Sequence, residues 1–459
     1  MQASDPTQLP VQRMSAEIMA RRLSPVDLMD GFLKRIEAAE PKLQAFVEVY
    51  ADSARLAASG AERAICSGHA VGPLHGIPIA LKDLIEIEGK IVTGGCAAWS
   101  QRVATRTALL AQHLIAQGMI VIGKTHTVQF AMGGWGTNTQ MGTPWNPWDP
   151  AHKRTPGGSS SGSGVAVAAG LAPWAVGTDT GGSVRLPSSW CGLTGLKTTI
   201  GRISTHGVLP LSTTFDTPGP MAHSVEDAAL LYRAMRGPSA FAGGEPESVP
   251  NLRRGIRGLR LARMPESERG ISTPDVLAAY DRSLDHLESL GAEIVEIELP
   301  FAFADVMRPI GNIINAESYT ILRDLVDDES VALDEHVRPR IAAGRKVSAQ
   351  WYLEALARRE TMKTQFAAAL SGIDALLTPT TATAALLLDD VDQTGTPAHY
   401  TRFVNMLDLC ALSLPNGFTE GGLPLSLQIV CRGLDEATAL RIGWAYQEST
   451  DWHHRRPSI

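Results

Sequence analysis

Thr155-Pro-Gly-Gly-Ser-Ser-Ser-Gly-Ser-Gly164, followed by Gly177-Thr-Asp-Thr-Gly-Gly-Ser-Val-Arg-Leu-Pro187, carries more information than any other part of this chain. Each stretch sets a serine beside glycines: Ser159 in the first, Ser183 in the second. Between them runs a set of small residues, Val165 to Gly170, and then Leu171-Ala-Pro-Trp-Ala-Val176. Glycine permits unusual backbone dihedrals and close approach to a ligand. Two such turns brought to one point present two hydroxyls and several bare N–H groups, the equipment for nucleophilic attack on a carbonyl.

A flexible Gly/Ser linker is one reading of Thr155 to Gly164. Its flanks argue against it: a helix-compatible run follows at once, and then the strand-like Trp174-Ala-Val-Gly-Thr178. In the second turn a strand ends, two glycines and Ser183 follow, and Arg185 and Pro187 open a helix-like stretch. The N–H groups of Thr180, Gly181, Gly182 and Ser183 form a concave donor nest suited to an oxyanion. An ordinary strand–turn–helix junction needs neither the paired glycines nor the serine. Two formal motif matches fail on context. Gly158-Ser-Ser160-Ser-Gly162 has the spelling of a nucleophile elbow, but no apolar strand precedes it. Gly118 to Thr125 has the spelling of a phosphate loop, but its variable positions, Met-Ile-Val-Ile, are themselves strand-forming.

A serine hydroxyl needs a base to take its proton. His152 and His206 are candidates by proximity only. A lysine serves if burial or nearby positive charge holds it neutral. Lys82, closing the apolar run Ile77 to Leu81, suits that role; the alternative is a surface lysine paired with Asp83.

The 459 residues would suit about three domains of ~150 residues on length alone. Hydrophobic residues are 44% and charged residues 19%, the balance of a globular chain with a large core. A net charge of −7 gives no reason to expect nucleic acid or an anionic membrane as partner. The N-terminus lacks the pattern of a secretory signal. The five scattered cysteines read as buried free thiols of a reducing, cytoplasmic compartment. No metal-ligand spacing appears, and His453-His454 reads as a solvated tail.

Periodicity predicts helices from Pro25, over Thr107 to Gln117, from Ser224 to Met235, over Pro274 to Leu290, and at Asp435 to Glu448. It predicts strands at Ala45 to Tyr50, Ile77 to Leu81, Met119 to Ile122, Leu259 to Ala262, Glu293 to Leu299, Ala375 to Leu377, Ala411 to Leu414 and Leu425 to Val430. Phe301 to Leu370 reads as mostly helical, and Gly237 to Arg254 as a linker. Interleaved strands and helices imply an α/β core.

Gly76-Ile-Pro-Ile-Ala-Leu-Lys-Asp-Leu84, Pro156-Gly-Gly-Ser-Ser-Ser-Gly-Ser163 and Gly177 to Pro187 together resemble the amidase signature family of serine hydrolases. Cys191 to Lys197, Gly201 to Ser204, Phe215-Asp-Thr-Pro-Gly-Pro220, Gly123 to Thr125 with Phe130 to Gly133, and Gly422-Leu-Pro-Leu-Ser-Leu-Gln428 extend the resemblance over nearly the whole chain. The resemblance implies one α/β domain over residues 1–459: a central twisted mixed sheet with helices on both faces, a catalytic core at about 70–220, and a helical substrate-side segment at about 300–370. It implies Ser183 as nucleophile, Ser159 as bridging serine on a cis Gly158–Ser159 bond, and Lys82 as terminal base. Thr180, Gly181 and Gly182 would supply the oxyanion donors, and Asp179 and Arg185 would hold the turn. No cofactor or metal is implied. Ser161 stands where many members carry glycine, which raises the question of whether the loop needs positive φ there.

Family members cleave aliphatic and aryl amides, anilides, ureas and carbamates. One branch is the glutaminase subunit of a tRNA-dependent amidotransferase, which needs partner subunits. The stretch from Gly311 to Tyr319 does not resemble that subunit, so the expectation is a stand-alone hydrolase of a small amide or carbamate, monomer or homodimer, without nucleic acid or membrane partners. Met132, Gly133 and Trp135 are expected at the substrate pocket, with the Trp145 and Trp148 loop as a further candidate. A catalytically silent protein of the same fold is the alternative of another class.

Overall fold

The computed structural model describes residues 5–237 and 251–459. Eleven strands form one mixed sheet. In chain order they are β1 (Phe46–Val49), β2 (Pro78–Lys82), β3 (Ile120–Thr125), β4 (Trp174–Asp179), β5 (Thr194–Lys197), β6 (Thr217–Ala222), β7 (Arg260–Arg263), β8 (Glu293–Val295), β9 (Ala375–Pro379), β10 (Cys410–Phe418) and β11 (Pro424–Cys431). Across the sheet the order is β1-β3-β2-β4-β6-β5-β10-β11-β9-β7-β8. Helices flank the sheet, so the architecture is mixed α/β.

Two consequences of this topology build the site. β2 is buried along its whole length and lies between β3 and β4, parallel to both. A strand covered on both faces needs a continuous apolar run, which Ile77 to Leu81 supplies. Leu81 pairs with Val176, so Lys82 and Asp179 come out at the same, carboxyl-terminal ends of adjacent parallel strands. Open α/β sheets gather ligand-binding groups at that end.

Thr155 to Gly164 is no linker. Residues 155–169 are buried, and Ser161–Ala168 is a helix packed on the sheet. Its small side chains are what permit this: a Cβ on Gly177 of β4 would lie 2.7 Å from Ser160 Oγ. Ser161 opens that helix without positive φ, which settles its departure from glycine.

Most predicted elements are present, with shifted ends. The helix from Pro25 runs Pro25–Leu43, with Ser24 Oγ accepting from the N–H groups of Val26 and Asp27. Ser224 caps Val225–Arg236 through the Asp227 N–H. The alternating strand predicted to Leu299 stops at Val295. β5 and β6 are additions to the predicted set. In β6, Thr217-Pro-Gly-Pro-Met-Ala222, two prolines and a glycine mask the strand pattern, yet it pairs antiparallel with β4 over its full length. Residues 301–370 hold two long helices, Met307–Asp327 and Ala349–Ala369. Of the linker candidate Gly237 to Arg254, residues 238–250 lie outside the described residues. The cysteines are free, and four are buried; Cys66 corrects the expectation, because it ends the helix Ala51–Cys66 at the surface.

Candidate active site

The serine run is fastened to the sheet ends by hydroxyl bonds. Ser160 Oγ donates to the Thr178 carbonyl and accepts from the Thr178 N–H, each at 3.2 Å. Ser163 Oγ lies 2.7 Å from Thr125 Oγ1 and donates to the Val176 carbonyl. The Ser159 carbonyl accepts from the Val128 N–H and Thr127 Oγ1. The Gly158–Ser159 peptide bond is cis.

Lys82 is fully buried. Its Nζ is hydrogen-bonded to Ser159 Oγ at 2.7 Å and to Thr178 Oγ1 at 2.8 Å. Burial pushes its pKa down to about 7, against the opposing pull of the Asp216 and Asp179 carboxylates. The surface pairing with Asp83 does not occur: Asp83 instead holds Lys124 at 2.8 Å, both buried. His152 and His206 are exposed and line no part of the cavity described below.

Ser183 lines a cavity of about 470 Å³, with Thr180 and Gly181 beside it. The Ser160 N–H donates to the Ser183 carbonyl at 3.3 Å, which brings the two serine turns together. The Ser183 hydroxyl has no hydrogen-bond partner among the described residues, and Ser183 lines the cavity.

Asp179 organises the second turn. One of its carboxylate oxygens accepts from the Gly182 N–H at 2.7 Å and the other from the Val184 N–H at 3.1 Å. Arg185 grips the same carboxylate through Nε at 3.0 Å and Nη2 at 2.9 Å, and reaches Gln428, Asn405 and the Thr401 carbonyl as well. Burial favours a neutral Asp179, but the Arg185 charge and hydrogen bonds outweigh it and hold the carboxyl well below its usual range. The N–H groups of this turn are not equivalent. The Gly182 N–H is committed to Asp179, which leaves the N–H groups of Thr180, Gly181 and Ser183 without acceptors among the described residues. Gly182 serves the turn instead: its φ is +134°, and a Cβ there would collide with Thr401 Oγ1.

Arg185→Met leaves Asp179 buried without its counter-charge. The expected cost is about 3–5 kcal/mol of folding stability, read from the urea midpoint.

Met132 and Gly133 line the cavity, whereas Trp135 does not. Its ring stacks on Trp190 at 5.6 Å, so a large apolar side chain in a loop found a core partner rather than a ligand. Trp145 and Trp148 likewise spend their indole N–H groups on the Asp149 and Cys191 carbonyls. Sequence reasoning missed Asp216, which accepts from Thr180 Oγ1 at 2.5 Å and from the N–H groups of Leu211 and Ser212, and which burial raises to about 6. It also missed Arg340, Arg402 and Asn315, which reach the cavity from later helices. Asp216 lies inside the Phe215 to Pro220 motif, a signal that could have found it; lone arginines on amphipathic helices carry no local signal.

Comparison with known proteins places the chain in a family. The Amidase family matches residues 27–440. The A-type subunit of glutamyl-tRNA(Gln) amidotransferase from Ralstonia nicotianae is 35% identical, over 98% of this chain and 99% of that one. Its counterpart in Chloroflexus aurantiacus is 34% identical over 98% of each. A solved structure from work on a vestigial protein complex and the evolutionary origins of an s-triazine catabolic enzyme superposes with a TM-score of 0.89 at 30% identity, covering 98% of this chain and 100% of the other. Peptide amidase from Stenotrophomonas maltophilia superposes at 0.85 with 28% identity, covering 98% of both chains. The amidotransferase relatives overturn the expectation of a monomer or homodimer without nucleic-acid connection. They match through the middle region expected to be distinct, and they are subunits of an enzyme named for glutamyl-tRNA. Net charge averages over a whole surface, so it excludes neither a subunit role nor a local contact. Among the described residues no helix is long and apolar enough to cross a membrane. With a family match spanning most of its length and relatives aligned from end to end, the chain belongs to the Amidase family.

Proposed function

We propose that this chain hydrolyses a carboxamide C–N bond through an acyl-enzyme, with Ser183 as nucleophile, Ser159 as proton carrier and Lys82 as base. The observation that carries the reading is the buried Lys82 amine held 2.7 Å from Ser159 Oγ, in a turn bonded to that of Ser183, whose unpartnered side chain lines the cavity. A lysine with a pKa near 7 is substantially neutral at physiological pH. It then donates to Thr178 and accepts from Ser159. As Ser183 Oγ bonds to the carbonyl carbon, its proton passes to Ser159, and the Ser159 proton passes to Lys82. The oxyanion meets the N–H groups of Thr180, Gly181 and Ser183. Collapse breaks the C–N bond, the relay returns a proton to the leaving nitrogen, and water cleaves the resulting ester by the reverse path.

The amidotransferase relatives favour a particular setting, a subunit of a larger assembly, and the glutaminase branch of the family that the sequence resembles makes glutamine the amide to test there. The peptide amidase likeness supports a second setting, hydrolysis of another small amide. A carbamate or anilide shares the tetrahedral chemistry and enters the same test. Ammonia or amine release is measured from glutamine, a short aliphatic amide, an anilide and a carbamate, and kcat/KM is compared. Turnover of at least one, lost in Ser183→Ala, is expected. A wild-type chain that neither turns over any of them nor labels at Ser183 with a fluorophosphonate is catalytically silent.

A further inference from the structure

We infer that the cavity holds a carboxylate-binding subsite formed by Arg402 and Arg340, so that the substrate is an amide that also carries a carboxylate. The inference rests on the amide-hydrolase reading for its substrate class, but not for the subsite itself. Two guanidinium groups line the cavity, and among the described residues no aspartate or glutamate does. That is a local excess of positive charge in a chain whose net charge is −7.

Arg402 is the stronger signal. It stands on the helix His399–Met406 and is not exposed. Its side chain lies against the oxyanion turn: a Cβ on Gly181 would be 3.3 Å from Arg402 Cγ and 3.5 Å from Nε. Yet its guanidinium makes no hydrogen bond or ion pair among the described residues. Arginine has five N–H donors, and Arg402, half-buried in the cavity wall, has no protein acceptor for them among the described residues. Arg185, by contrast, spends its donors on four partners.

Arg340 faces it from the Arg338–Ala342 helix, packed on Gly133. It donates to the Met132 and Gln393 carbonyls, and Asp334 and Asp392 lie near enough to offset part of its charge. Those carboxylates are engaged elsewhere, Asp334 with Thr139 and the His336 N–H, Asp392 with Thr394. Burial and the neighbouring Arg340 bring Arg402 down to about 10, so it remains a cation at neutral pH. An anion between the two guanidiniums relieves their mutual repulsion and supplies the missing acceptors, in the planar geometry that arginine offers a carboxylate. Because Arg402 packs on Gly181, two residues before Ser183, the carboxylate and the scissile amide belong to one short molecule.

The test compares glutaramate, a carboxylate-bearing primary amide, with butanamide, its uncharged counterpart. The expected wild-type preference in kcat/KM is about 10–100-fold for glutaramate, the range of one or two charge-assisted hydrogen bonds. Arg402→Met is expected to erase most of that ratio, chiefly through KM, and Arg402→Lys to restore part of it. Glutarate, which has no amide, is titrated calorimetrically into the wild type and both variants; binding weakened at least 10-fold in Arg402→Met supports the subsite whether or not any amide is turned over. Arg340→Met replaces Arg402→Met should the latter not fold. No wild-type preference for glutaramate, or glutarate affinity equal in wild type and variants, overturns the inference. Glutarate binding without hydrolysis of either amide sinks the hydrolase reading and leaves the subsite standing.

Discussion

Ser183→Ala is expected to lower kcat/KM for any amide substrate by about 10⁴–10⁶-fold, while its unfolding midpoint stays within experimental scatter of the wild type. Removal of the attacking oxygen leaves only the positioning and oxyanion contributions, which is why a nucleophile deletion costs nearly as much as loss of the whole catalytic set. The fold is spared because the Ser183 hydroxyl makes no hydrogen bond among the described residues, so alanine orphans no partner. Activity and urea unfolding on the same preparation provide the check. A variant that retains a tenth of wild-type turnover removes Ser183 from the chemistry. A variant that loses activity and several kcal/mol of stability together shows that the hydroxyl was structural.

Lys82→Met is expected to cost about 10²–10⁴-fold in kcat/KM, the usual contribution of a positioned base. The pH profile distinguishes this from a packing effect. Lys82 is an acceptor only when neutral, and burial brings its pKa to about 7. Wild-type kcat/KM therefore falls tenfold per pH unit below about 7 and levels off above it. The limb near pH 7 disappears in Lys82→Met, since the group that titrates there is gone. Should the limb persist unchanged in the variant, another residue is the base. The methionine replaces a buried amine with a thioether of similar length, so little volume is lost, but Ser159 Oγ and Thr178 Oγ1 lose a partner.

Several features are legible in the sequence because they are local. The apolar run before Lys82, the glycine-flanked serines and the small residues after Ser159 each describe their own surroundings. A strand buried on both faces, a turn with bare N–H groups, and a helix thin enough to lie on β4 all follow from residue type within a few positions. The same locality explains the failures. An apolar loop points Trp135 towards the pocket, but a tryptophan at 5.6 Å across the fold, Trp190, takes its ring. Adjacency to Gly181 suggests Gly182 as an oxyanion donor, but the fold of the turn gives its N–H to Asp179. The stand-alone reading leans on one stretch near Gly311, which lies inside the span that the relatives cover.

By itself the sequence determined the α/β class, the family and the residue types gathered around Ser159, Ser183 and Lys82, because those depend on patterns continuous along the chain. Only the tertiary structure decided that Lys82 is buried and partnered by Ser159 rather than Asp83, that Asp216 stands behind Thr180, and that Arg340 and Arg402 line one cavity with Ser183 from segments far away in sequence. Charge state and cavity chemistry are set by desolvation and by which distant side chains share a space. Neither quantity exists until the sheet has brought the ends of β2 and β4 together beneath the helices that close the cavity.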